Sequence, residues 1–224
     1  MNIARISRAI ILAGLLTFTT YSAEASLWPG LGTTANEKSG AFRTDDFQKD
    51  TAVLQSPWLI AHWNNEIYAG KVNAAIGREK NKFLNQLSEK NAQRKTLGWM
   101  SWHEGLVGNF ITNTQGLTSL VLIEQTLTAG EAHGTTFVKG LTFNAAGDLV
   151  DLPNLLPKLT VNDVNKCIEQ VATKKNISLL PNHTVTELPT NFYVGKNRVI
   201  YALYQQNDLT PAKEGIFSVA IGKV

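Results

Sequence analysis

One change of rhythm constrains the fold of this chain more than any other feature. Over residues 66–92, Val72, Ile76, Phe83, Leu84 and Leu87 recur on one helical stripe, while Lys71, Arg78, Lys82, Glu89 and Lys90 lie mostly off it. From residue 96 the period falls to two. Residues 97–107 and 117–127 read as strands separated by the turn-like Asn113-Thr114-Gln115-Gly116. In 135–144, Phe137, Leu141 and Phe143 face one way and Val138, Thr142 and Asn144 the other, before Ala145-Ala146-Gly147-Asp148 closes the strand. Helical spacing returns at Val161, Val164, Ile168 and Val171, with Cys167 beside the stripe. Thr160 is the expected N-cap, and Asp163 three residues on supplies a weaker version of the capping box. Residues 191–194, 198–204 and 216–221 then form a meander, and Phe217, Val219 and Ile221 share one face. The order helix, strands, helix, strands, with no internal repeat, predicts one α+β domain. Its sheet is mostly antiparallel, with one long amphipathic helix and a second, shorter one.

The first 25 residues do not belong to that domain. Arg5 and Arg8 precede the apolar run of residues 9–16, and Ala23-Glu24-Ala25 places small residues at the positions a signal peptidase needs. The run is too short to span ~30 Å of hydrocarbon comfortably. A cleavable secretory signal over 1–25, cut after Ala25, is therefore expected. It would release a chain with no membrane attachment into the periplasm or the medium. Residues 26–50, rich in Gly, Thr, Asn, Lys and Asp, read as a linker or flexible tail, leaving 51–224 as the single domain. Gly30-Leu31-Gly32-Thr33-Thr34-Ala35 matches the loose dinucleotide fingerprint but lacks the preceding strand that the motif requires.

Composition narrows the functions. With 21 Lys and Arg against 18 Asp and Glu among 224 residues, the net charge of +3 is too even for a nucleic-acid binder that works through a basic surface. The lone Cys167 allows no internal disulfide and no cysteine-built zinc site. It suits core packing on its helix better than nucleophilic attack.

Three stretches carry a family resemblance. Ser119-Leu120-Val121-Leu122-Ile123-Glu124 leads into Thr128-Ala129-Gly130-Glu131-Ala132-His133-Gly134, and the chain continues through Leu141-Thr142-Phe143-Asn144, Gly147 and residues 149–156. Near the C-terminus stands Asp208-Leu209-Thr210-Pro211-Ala212-Lys213-Glu214-Gly215-Ile216. In order and spacing, over residues 58–221, these resemble the extracytoplasmic domain of RsiV-like anti-sigma factors and the non-catalytic domain of PdaC-like peptidoglycan deacetylases. In the former the domain is similar to a lysozyme-sensing receptor. The chain departs from the pattern at Glu131, where the family has a second glycine, and at Asn207, where it has tyrosine. It also lacks the sigma-binding segment with its retained membrane helix and the deacetylase domain. The resemblance thus implies an exported recognition domain that binds a cell-wall polymer or a wall-acting protein such as lysozyme.

The residues expected to contact that ligand are Trp102, His103, Glu104, Glu131 and His133. A tryptophan can stack on sugar rings or anchor a protein interface, and Glu131 can pair with a basic partner. His133 has a competing role, holding the turn between Gly130 and Gly134. If the two segments met, His103, Glu131 and His133 could offer a mixed zinc-type ligand set, and a zinc-assisted hydrolase of envelope polymers is the alternative function. The spacing matches no metal signature, and no nucleophile elbow or phosphate loop occurs. No catalytic residue, resident metal or cofactor is therefore expected.

Overall fold

The computed structural model describes residues 42–48, 55–61, 65–96, 107–114, 116–126, 135–195 and 197–224. Strands β1 (Phe42–Gln48) and β2 (Gln55–Ala61) form an antiparallel hairpin. β1 begins inside the stretch that composition marks as a linker. The long helix α1 (Glu66–Thr96) starts where the sequence places it, because Asn65 caps it. The Asn65 Oδ1 accepts the Tyr68 N–H at 3.1 Å, and its carbonyl accepts that of Ala69 at 3.0 Å. It runs four residues past the expected end at Ala92, since no glycine or proline interrupts it before Gly98. Its buried side is Tyr68, Val72, Ala75, Ile76, Phe83 and Leu84.

Strands β3 (Val107–Thr114), β4 (Leu117–Thr126) and β5 (Thr135–Phe143) form an antiparallel sheet with β4 in the middle. Two expectations shift here. The strand expected over 97–107 lies, apart from Val107, outside the described residues, and the strand found covers Val107–Thr114, including half of the anticipated turn. The remaining turn pivots at Gly116, whose φ of 79° suits glycine.

Residues β6 (Phe192–Val194), β7 (Val199–Tyr204) and β8 (Phe217–Lys223) do not extend that sheet, as the sequence suggested, but make a second three-stranded one. One face of it carries Phe192, Val194, Ile200, Ala202, Phe217, Val219 and Ile221. This face is covered by the four-residue helix α2 (Leu152–Leu155), which periodicity did not reveal, and by α3 (Val161–Lys175). α3 has the capping box its sequence announces. The Thr160 hydroxyl accepts the Asp163 N–H at 3.2 Å, and the Asp163 carboxylate accepts the Thr160 N–H at 3.1 Å. Asn176 ends the helix at φ 53°.

The other face of the second sheet packs on the first: Val121, Ile123 and Val138 meet Tyr193 and Leu203. β4 is therefore buried on both faces, which explains its near-unbroken apolar run Leu120-Val121-Leu122-Ile123. The sheets come close enough that a Cβ at Gly140 would sit 2.0 Å from the Phe192 carbonyl oxygen. Polar side chains join them. The Ser119 hydroxyl accepts the Val194 N–H at 2.9 Å and hydrogen-bonds the Thr142 hydroxyl at 2.7 Å. Asn191 accepts the Gly140 N–H at 2.8 Å and donates to the Val138 and Leu203 carbonyls. Gln205 both accepts from and donates to the Val138 backbone, and Gln206 accepts the Thr136 N–H.

Candidate functional site

Alternation along β4 divides its side chains into two sets. Val121 and Ile123 face the second sheet, so Leu120, Leu122 and Glu124 face the opposite way. That opposite face is where α1 lies. The start of α1 is tied to the turn after β5: Lys71 Nζ meets the Asp148 carboxylate at 2.6 Å, and Gly147 fits against Tyr68. Asn144 shapes this turn by accepting the Ala146 and Asp148 N–H groups. The Lys71 hydrogen bond holds the Asp148 carboxyl below its usual range.

Further along, Glu79 falls on the buried stripe between Ile76 and Phe83, with a side chain only 17% exposed. It is paired with Lys82 at 2.8 Å. Glu124 lies within electrostatic reach of both. Burial raises the Glu124 carboxyl most, the Glu79 charge adds to this, and Lys82 opposes them, leaving it pushed up to about 8. Glu124 is thus protonated at neutral pH and can donate a hydrogen bond.

This acidic locus sits at one particular end of the first sheet. Val107, the first residue of β3, is opposite Glu124, and Thr126, the last of β4, is opposite Thr135, the first of β5. The segments 97–106 and 127–134 consequently join the sheet at the same end. α1 continues from Lys82 to Thr96, about 20 Å at ~1.5 Å per residue, so its last turns extend past the end of β4. Trp102, His103 and Glu104 belong to the first segment, and Glu131 and His133 to the second. All five lie outside the described residues. What the register brings together is the strand ends that carry them.

Sequence reasoning passed over Glu79 and Glu124. The available signal was parity: Glu124 shares the face of Leu120 and Leu122, and Glu79 interrupts an apolar helical stripe. Elsewhere, Cys167 is half-buried, and burial, with help from Asp163, pushes its thiol up, away from a reactive thiolate. His183 hydrogen-bonds the Leu180 carbonyl through Nδ1 at 2.8 Å. Among the described residues no group of three or more His, Cys, Asp or Glu could hold a metal ion, and no helix is long and apolar enough to cross a membrane.

No family model matches the chain, and no curated protein matches it. Solved structures do share its fold. A member of the DUF3298 family from Bacteroides fragilis superposes with a TM-score of 0.54 at 14% identity, covering 81% of this chain and 90% of that one. A DUF3298 family protein from Pseudomonas aeruginosa gives a TM-score of 0.57 at 9% identity, covering 80% and 88%. At these identities the likeness is one of fold.

Proposed function

We propose that a domain with the fold of these DUF3298 proteins serves here as an exported, non-catalytic recognition module for a cell-wall polymer or a wall-acting protein such as lysozyme. The observation that carries the reading is the strand register, in which β3 begins and the β4–β5 connection leaves at one end of the sheet. The connections whose sequences include Trp102-His103-Glu104 and Glu131-Ala132-His133, both rich in recognition chemistry, thereby join the β3–β5 sheet at the same end. The leader read over residues 1–25 and the resemblance to RsiV-like and PdaC-like domains support an envelope location. Glu104 and Glu131 would favour a basic partner, through an attraction that salt weakens.

The test is a pull-down with lysozyme and with peptidoglycan fragments, using exported protein whose N-terminus has been sequenced. The mature chain is expected to begin at Ser26 and to retain one of the two ligands. Glu131→Gly and Trp102→Ala should each reduce retention several-fold. No retention of either ligand by the intact protein overturns the proposal. Retention unmoved by both substitutions overturns the assigned surface.

A further inference from the structure

The two ends of α1 are held on the first sheet by different means. Over residues 66–76 the helix is pinned by the Lys71–Asp148 contact at 2.6 Å, by Tyr68 against Gly147, and by the buried Val72, Ala75 and Ile76. Gly77 follows. A Cβ there would meet no atom within 4 Å, so packing does not require the glycine, which costs a helix interior about 1 kcal/mol against alanine. Gly70 is as open, yet Tyr68 and Lys71 on either side of it are both tied to the turn after β5. Gly77 is thus the soft point of the helix. Beyond it, α1 meets the sheet through the buried Phe83 and Leu84 and through Glu79, which pairs with Lys82 at 2.8 Å. Glu79 and Glu124 therefore place two carboxyl groups between the outer part of α1 and the end of β4, against one nearby lysine. The Lys82 side chain is 65% exposed, so much of its field is lost to water.

We propose that residues 78–96 of α1 form a proton-operated flap hinged at Gly77, closed on the sheet while Glu124 holds its proton and loosened when Glu79 and Glu124 are both charged. With its proton, Glu124 adds no charge beside Glu79. Ionised, it sets a second carboxylate in a site short of water, and opening the helix at Gly77 hydrates both. Of the described elements packed around Glu124, α1 brings Glu79 and Lys82, β5 brings Lys139 on the same sheet face, and β3 brings no ionisable residue. The pinned stretch 66–76 keeps the helix attached, so the change is a local opening and not an unfolding of the domain. The device needs no ligand and stands apart from the recognition role proposed above.

The experiment is amide hydrogen exchange of the full mature chain at pH 6.5 and 8.5, read by mass spectrometry and corrected for the intrinsic pH dependence of exchange. The Glu124 carboxyl moves from about 8 when closed to its ordinary 4.5 when hydrated, so opening of residues 78–86 should rise about twentyfold between the two pH values. Residues 66–76 and 117–123 should keep their protection. Glu124→Gln should abolish the rise, and Glu79→Gln should shrink it while leaving the fold intact. Gly77→Ala should lower opening about fivefold at both pH values, the equivalent of about 1 kcal/mol of helix propensity. An equal loss of protection over 66–76, 78–86 and 117–123 would mean global destabilisation and overturns the proposal. So does an undiminished rise in Glu124→Gln, and unchanged opening in Gly77→Ala overturns the hinge.

Discussion

Glu124 turns the sheet's acidic end into a pH-dependent element. Its folded-state value of about 8 lies above its ordinary 4.5, so the folded protein holds a proton that the unfolded chain releases between those limits. Stability from this group is full below about pH 4.5, declines as the pH rises and levels off above about 8. From described elements, the charged groups on its side are Glu79 and Lys82 of α1 and Lys139 of β5, which alternation places on the same face. β3 contributes no ionisable residue. Glu124→Gln should remove the decline. At ~1.4 kcal/mol per pKa unit, discounted for partial exposure, the variant should gain on the order of 3 kcal/mol over wild type at pH 9 and little at pH 4.5. Urea unfolding at both pH values is the measurement, and parallel pH profiles for the two proteins would sink the assignment.

At the scale of elements, the sequence was most legible where local chemistry and tertiary packing agree. α1 and α3 began at the residues read as their starts because Asn65 and Thr160 supply real caps. β4 and β5 came within a residue of expectation because turn residues bound them. The misreadings have physical causes. The alternation read in β5 holds, but it could not say that both sets are buried, Val138 and Thr142 as well as Leu141 and Phe143, a sign of cover on both sides. α2 is a single turn and too short to show a period. Assignment of the C-terminal strands to a separate sheet depends on non-local pairing that no local pattern encodes. The inward faces themselves are testable. Phe143 and Val219 are both fully buried. Phe143→Ala should cost about 3–5 kcal/mol. Val219→Thr, nearly equal in volume, should cost about 1–3 kcal/mol for its buried hydroxyl. Chemical denaturation reads both, and an unchanged midpoint for either would mean that its face is wrongly assigned.

At the scale of the molecule, the two three-stranded sheets act as one body through polar side chains as well as apolar contact. Asn191 is central, serving one amide N–H and two carbonyls on both sheets. Asn191→Ala should cost on the order of 2–4 kcal/mol, because those backbone groups lose partners where water enters poorly. Urea unfolding followed separately by far-ultraviolet circular dichroism and by tryptophan fluorescence would register it. A loss under about half a kcal/mol would mean that apolar packing alone joins the sheets. None of this was legible beforehand, since Asn191 looks like an ordinary strand end, and Gln205 and Gln206 like ordinary loop residues, until the fold sets them beside β5.

The same three amides have a consequence for how the protein behaves in a crowd. β5 is the outermost strand of its sheet, and strands in that position offer a row of unused backbone groups on which a neighbouring chain can template itself. Here the outward N–H groups of Thr136, Val138 and Gly140 are already taken by side chains, and the Thr142 carbonyl by the Val150 N–H. Gly140, pressed against Phe192, keeps the second sheet close beside this border. This border is sealed against aggregation from within its own chain.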